Sequence, residues 1–108
     1  MDLIAISARV EVDPARIDDY LTAAGALIDP TRAEPGCHLY AFARDIRQPN
    51  LVWISEQWAS EAHLARHLIS PHVTAFLRAV AEIPLLAMEA RQYSVAALGT
   101  VTPPPVSA

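Results

Sequence analysis

One cysteine, Cys37, stands in a chain of 108 residues. A single thiol excludes an intrachain disulfide and a thiolate metal cluster within one subunit, so Cys37 reads as a small apolar residue of the interior. Basic residues are scarce too. Arginine and lysine together number 8 against 12 acidic residues, giving a formal charge of −4, and they gather into no stripe. Nucleic-acid binding, which draws its affinity from neutralised phosphates, is therefore not expected. No apolar run reaches the roughly 18 residues of a membrane helix, and Asp2, following Met1, is not the basic start of a signal peptide. The expectation is a cytoplasmic protein with no membrane partner.

What is abundant is apolar material. Hydrophobic residues make up 53% and charged residues 19% of the chain, against about 45 to 50% and about 25% in ordinary globular proteins. A single domain of this length has little interior in which to hide the excess, which points to a surface covered by a partner.

Leu3 to Val12 alternates, with Ile4, Ile6, Ala8, Val10 and Val12 opposite Ser7, Arg9 and Glu11, and reads as a strand. Asp13 and Pro14 then open a helix, because the carboxylate accepts orphan amides and proline at the first position gives up no bond. Ile17, Tyr20, Leu21, Ala24, Leu27 and Ile28 form its apolar stripe, and Pro30 should end or kink it. Pro35 and Gly36 mark a turn. Cys37 to Asp45 has strand character with His38, Tyr40, Phe42 and Arg44 on one side, Gln48 to Asn50 turns the chain, and Leu51 to Trp58 forms a third strand. Ser60 caps a short helix over Glu61 to Ile69, with Leu64, Leu68 and Ala65 as its stripe. Ser70 and Pro71 start another carrying Val73, Phe76, Leu77 and Val80. Beyond Pro84, Leu85 to Val95 reads as the last strand, and Pro103, Pro104 and Pro105 suit a flexible tail. The expected division is an α+β domain over 1–96 and a tail over 97–108.

The order strand, helix, strand, strand, helix pair, strand is the split βαβ pattern of a ferredoxin-like fold with a four-stranded antiparallel sheet. Helices on one face leave the other bare, and the consecutive apolar residues Leu3 to Ile6 and Leu51 to Ile54 supply both faces. A second copy is the simplest cover, giving a homodimer of the dimeric α+β barrel type.

Three spaced motifs carry a family resemblance. Glu34, Pro35, Gly36 and Cys37 precede Tyr40 and Asp45; Glu56, Gln57 and Trp58 run into Ser60 and Glu61; His67, Leu68, Ser70, Pro71 and His72 precede Phe76. In this order and spacing the chain resembles the antibiotic biosynthesis monooxygenase family, with the likeness strongest to small bacterial quinol monooxygenases. The resemblance implies a dimer with sheets face to face and a pocket between helices and sheet. It implies oxidation of a hydroquinone or polycyclic phenol by molecular oxygen, without flavin, haem or metal. Relatives that degrade haem use an asparagine, a tryptophan and a histidine where this chain has Ser7, His67 and Leu77, so that activity is not expected.

Candidate residues follow. Trp58 matches an indole that lines the pocket in such relatives and could stack on a flat substrate, or simply fill the core. Glu56, on the same strand face, could be a base with a raised pKa or half of a salt bridge. Arg78 falls near a cavity-facing arginine of a polyketide-oxidising relative, where it could steady an oxyanion, or it belongs to a solvated face. His63 and His67, four apart on a helix, share a side and could bind one ion, but no acidic third ligand sits in that helix and the resemblance implies no metal. His67 or His72 could instead take a proton from a hydroquinone. His38 and Tyr40 could reach either the pocket or a dimer seam.

The expected activity is thus a cofactor-free oxidation, with His67, His72, Glu56 and Arg78 as catalytic candidates. Trp58, His38, Tyr40 and His63 are the substrate-binding candidates. The rivals are a non-catalytic ligand-binding or stress-response dimer and an isomerase of a small phosphorylated signal, the latter disfavoured by the scarcity of cations.

Overall fold

The computed structural model describes residues 2–106; the expectations for Met1, Ser107 and Ala108 lie outside the described residues. Strand β1 (Leu3–Val12) leads through a 3-10 turn at Pro14–Arg16 into helix α1 (Ile17–Arg32). Strands β2 (Cys37–Arg44) and β3 (Leu51–Trp58), helices α2 (Glu61–Leu68) and α3 (Pro71–Val80), and strand β4 (Leu85–Val95) follow. The sheet order is β2-β3-β1-β4 and every pairing is antiparallel. This is the ferredoxin-like α+β architecture expected of the element order. Residues 96–106 contain no helix or strand.

The starts of the elements obey local chemistry. Asp13 accepts the Ala15 amide at the head of the 3-10 turn, Ser60 accepts the His63 amide and Ser70 the Val73 amide, each satisfying a donor that has no partner within its helix. Of the two expectations for Pro30, the helix end is not met, for α1 passes it and ends at Arg32. Tertiary contacts hold the extra turn: Thr31 is fully buried and the Arg32 guanidinium donates to the Tyr40 carbonyl at 3.0 Å. One missing amide costs less in a last turn anchored this way than in mid-helix.

The register sorts the sheet's two faces. Ile4, Ala8 and Val10 of β1 stand opposite Trp58, Ile54 and Val52 of β3, and Tyr40 and Phe42 of β2 join them opposite Glu56 and Ile54. Helices cover this face. Around Trp58 the core takes in Ile4, Leu27, Tyr40, Leu64 and Val73, and Phe42 and Phe76 connect it to a second cluster built on Val10, Val12, Tyr20 and Val52. The α2 stripe differs from expectation. Leu64 and His67 are its buried residues, while Leu68 is 57% exposed and Ala65 is exposed. A two-turn helix presents only a narrow face, and the i, i+3 pair at 64 and 67 meets the sheet.

The opposite face is bare and mixed rather than uniformly apolar. Trp53, Leu39 and Tyr93 are partly exposed there, among Arg9, Glu89 and Arg91. The helices also stop short of β4, whose Leu85, Leu86 and Met88 remain exposed.

Candidate active site

The site begins at the turn between α1 and β2. Glu34, Pro35, Gly36 and Cys37 form a type II turn: Pro35 sits second, Gly36 third with φ of 80°, and the Cys37 amide bonds to the Glu34 carbonyl at 3.3 Å. Only glycine takes that φ without strain, and a methyl group there would also collide with the His63 ring. The turn carries Glu34 to the space beneath α2 and α3.

Two imidazoles meet it. The Glu34 Oε2 atom lies 2.7 Å from His67 Nδ1 and 2.8 Å from His72 Nε2. His67 is 3% exposed and His72 19%. The His67 ring lies tilted on Trp58, with centroids 4.6 Å apart, and meets the edge of Tyr40 at 5.2 Å. Its other nitrogen, Nε2, faces Glu56 Oε1 at 4.0 Å, and that same oxygen accepts the Trp58 indole N–H at 2.9 Å. Glu56, His67, Glu34 and His72 therefore form one chain of acid–base groups running outward from the core.

The electrostatics follow from burial. Desolvation pushes the Glu56 carboxyl above its ordinary value, although the Trp58 bond and the proximity of His67 oppose the rise. Burial, and then the Glu56 charge, push the Tyr40 phenol upward as well, so it stays protonated. The Cys37 thiol is raised by burial and by the charges of Glu34 and Glu56, which leaves it a poor nucleophile.

An ionised carboxylate can only accept, so with Glu34 charged both histidines donate to it, His67 from Nδ1 and His72 from Nε2. The lone pairs left over are His67 Nε2, facing Glu56, and His72 Nδ1. The His72 ring also lines an apolar groove of about 220 Å³ between α1 and α3, with Ala23, Ala26, Leu27, Ala75, Phe76 and Ala79. A molecule in that groove lies next to an imidazole oriented by a carboxylate, the arrangement that makes a histidine an effective base. A hollow of about 280 Å³ on the bare face, lined by Arg9, Trp53, Glu89 and Tyr93 among others, contains no histidine and lies on the opposite side of the sheet from the cluster.

The structure brings together His67, His72, Glu56, Trp58 and Tyr40 from the candidates read in the sequence. It places three others elsewhere. His63 Nδ1 bonds to the Ser60 hydroxyl at 2.7 Å and its ring covers Gly36. His38 is exposed and falls where the β2 register slips between Cys37 and Leu39, so it leaves the face of Tyr40. Arg78 is exposed on α3 and enters none of the hydrogen bonds of the cluster. Glu34 was missed as a site residue. Its signal was an acidic residue immediately before a Pro-Gly turn, a position whose side-chain direction the turn dictates.

Fold and cluster define a small α+β domain with an acid–base chain under its helical cover. The chain belongs to the antibiotic biosynthesis monooxygenase family, whose model matches residues 3–79. It is 26% identical over 100 residues to the uncharacterised protein sll1783 of Synechocystis sp. (strain ATCC 27184 / PCC 6803 / Kazusa), covering 93% of this chain and 68% of that one. It is 27% identical over 75 residues to "Putative monooxygenase YcnE" of Bacillus subtilis (strain 168), covering 69% and 79%. The crystal structure of PA3566 from Pseudomonas aeruginosa superposes with a TM-score of 0.81 at 27% identity, covering 90% of this chain and 97% of that one. No helix among the described residues is long and apolar enough to cross a membrane.

Proposed function

We propose that the chain is a cofactor-independent monooxygenase that oxidises a small hydroquinone with molecular oxygen. The observation that carries this reading is the placement of His72, which accepts orientation from Glu34 at 2.8 Å while lining the apolar groove between α1 and α3. His72 Nδ1 takes a hydroxyl proton from the substrate, and the Glu34 carboxylate steadies the imidazolium that forms. The resulting anion is a far better electron donor than the neutral ring. It passes one electron to oxygen, the two radicals join through a new carbon–oxygen bond, and loss of water leaves a hydroxylated quinone. One oxygen atom enters the product and the other leaves as water, so no external reductant is consumed.

Size narrows the substrate. A cavity of about 150 Å³ accommodates benzene, so a groove of about 220 Å³ suits a single substituted ring better than a polycyclic one. Arg78 has no part in this scheme, and Trp58 and Tyr40 act by holding the His67 ring rather than by touching substrate. The working unit is a homodimer in the cytoplasm, because the partly exposed Leu39, Trp53 and Tyr93 of the bare face form a surface that a second copy would cover.

The test is oxygen uptake by the purified chain with a panel of benzohydroquinones, naphthohydroquinones and anthrones. Single-ring quinols should consume about one oxygen per product. Glu34→Gln and His72→Ala should each lower turnover by about 10² to 10⁴-fold while the circular dichroism spectrum stays unchanged. No uptake with any member, in a folded sample, overturns the reading. Thermal stabilisation by a quinol without turnover would support instead a ligand-binding dimer, which the apolar groove lining also suits. An isomerase of a phosphorylated signal fits poorly, since no cation lines the groove.

A further inference from the structure

We infer that Glu34, His67 and His72 also form a binding site for a divalent transition-metal ion, zinc or its neighbours, and that occupation silences the base. Three elements supply the donors: the α1–β2 turn, α2 and the first turn of α3. Their ligand atoms lie within 4.8 Å of one another, and two of the separations, 2.7 and 2.8 Å, are already closer than an ion requires. Metal bonds of about 2.0 to 2.2 Å in a tetrahedral site set the donors roughly 3.3 to 3.5 Å apart. Glu34 must therefore draw back by about half an ångström, and the two imidazole nitrogens, up to 4.8 Å apart, must close to the same spacing, both within the reach of side-chain rotations.

The donor chemistry selects the ion. Two imidazoles and one carboxylate suit zinc, cobalt, nickel, copper or iron, whereas magnesium and calcium favour sites built from oxygen. Three protein ligands leave a fourth position for water, and His72, on the wall of the groove, opens the site on that side.

Glu56 supplies an independent argument. When an ion replaces the hydrogen bond at His67 Nδ1, the ring proton must move to Nε2, and that nitrogen faces Glu56 Oε1 at 4.0 Å. A carboxylate behind a metal-bound imidazole, accepting its second N–H, is the usual way a histidine ligand is oriented and made more basic. The Trp58 indole fixes the same oxygen at 2.9 Å, so β3 holds the carboxylate about 1 Å beyond hydrogen-bond distance of that nitrogen, a gap that a small turn of the His67 ring onto the ion must close. No proton need leave the protein if both rings start neutral.

The ion and the proposed base use the same nitrogens and carboxylate. Only the inhibition rests on the oxidase reading; binding stands without it. Protein freed of metal by a chelator should bind zinc chloride in isothermal titration with a stoichiometry near one per chain. Cobalt chloride should give the intense visible absorption of a low-coordinate site. Outer residues alone cost about 10 to 100-fold in metal affinity, so Glu34→Gln and His72→Ala, each removing a ligand, should weaken zinc by roughly 100-fold or more. His38→Ala, at an exposed histidine outside the cluster, should bind as the wild type does. Absence of stoichiometric binding, or binding that survives in both ligand variants, or binding lost in His38→Ala, overturns the inference. If oxygen uptake is found, zinc should abolish it and a chelator restore it. If none is found, the titration still decides the site.

Discussion

Strand β3 carries two tryptophans whose indole N–H groups each bond to a carboxylate at 2.9 Å, Trp58 to Glu56 and Trp53 to Asp45. Trp58 is fully buried beneath the helices, whereas Trp53 is 41% exposed on the bare face. The same bond has opposite consequences. For Glu56 desolvation prevails and the carboxyl titrates high. For Asp45 the Trp53 bond and the Gln48 and Arg47 amides prevail, and it titrates low. The comparison teaches that the cover, not the hydrogen bond, decides whether a carboxylate bonded to a β3 tryptophan is suited to hold a proton.

The largest test of that contrast is truncation of the two rings. Trp58→Ala should cost about 3 to 5 kcal/mol, a large part of the roughly 5 to 15 kcal/mol available to a domain, while Trp53→Ala should cost about 1 kcal/mol or less. Urea midpoints at equal slope measure both, and similar losses would erase the distinction between the faces. Next in size is Gly36→Ala, which forces a side chain into the left-handed region and against His63. Thermal and urea unfolding should register a loss of about 1 to 3 kcal/mol.

Glu56 sharpens the contrast through pH. Below the ordinary carboxylate range it is protonated both folded and unfolded and contributes nothing. As pH rises through that range the unfolded chain ionises first, so stability falls until the raised folded value is passed and then levels off. Glu56→Gln removes this slope, and the variant should gain on the wild type between acid and neutral pH. A difference in unfolding free energy that stays constant over that range would contradict the burial argument. Asp45 should respond the other way. Trp53→Phe removes the largest cause of its depression, and carboxyl chemical shifts followed by NMR should place its titration nearer the ordinary value. The smallest effect belongs to Arg16, whose ion pair with Asp19 at 2.8 Å is exposed. Arg16→Ala should change stability by about 0.5 kcal/mol or less in calorimetry.

Much of the architecture was legible along the chain because its signals are local. The alternation in β1, the Ser60 and Ser70 caps and the Pro35-Gly36 turn act within a few residues, and each appears where the sequence put it. Misreadings came where tertiary contacts outweighed local preference. Pro30 lies inside α1 because buried Thr31 and the Arg32 to Tyr40 bond hold the turn that follows. His67 replaced Leu68 on the buried stripe of α2 because a carboxylate from another element satisfies its ring. His38 left the face of Tyr40 because a bulge shifts the strand by one residue, which no alternation pattern reveals.

The sequence by itself determined the elements, their order and the family motifs, since each depends on neighbours a few bonds away. Only the tertiary structure decided which histidines come together. His67 and His72 converge on Glu34 across 33 and 38 residues of chain, while His63, four residues from His67, turns to its own cap. Helical spacing says which side chains leave the same side of a helix. What meets them there is decided by the packing of turn, helix and sheet, and that packing made a half-buried carboxylate the partner of two imidazoles.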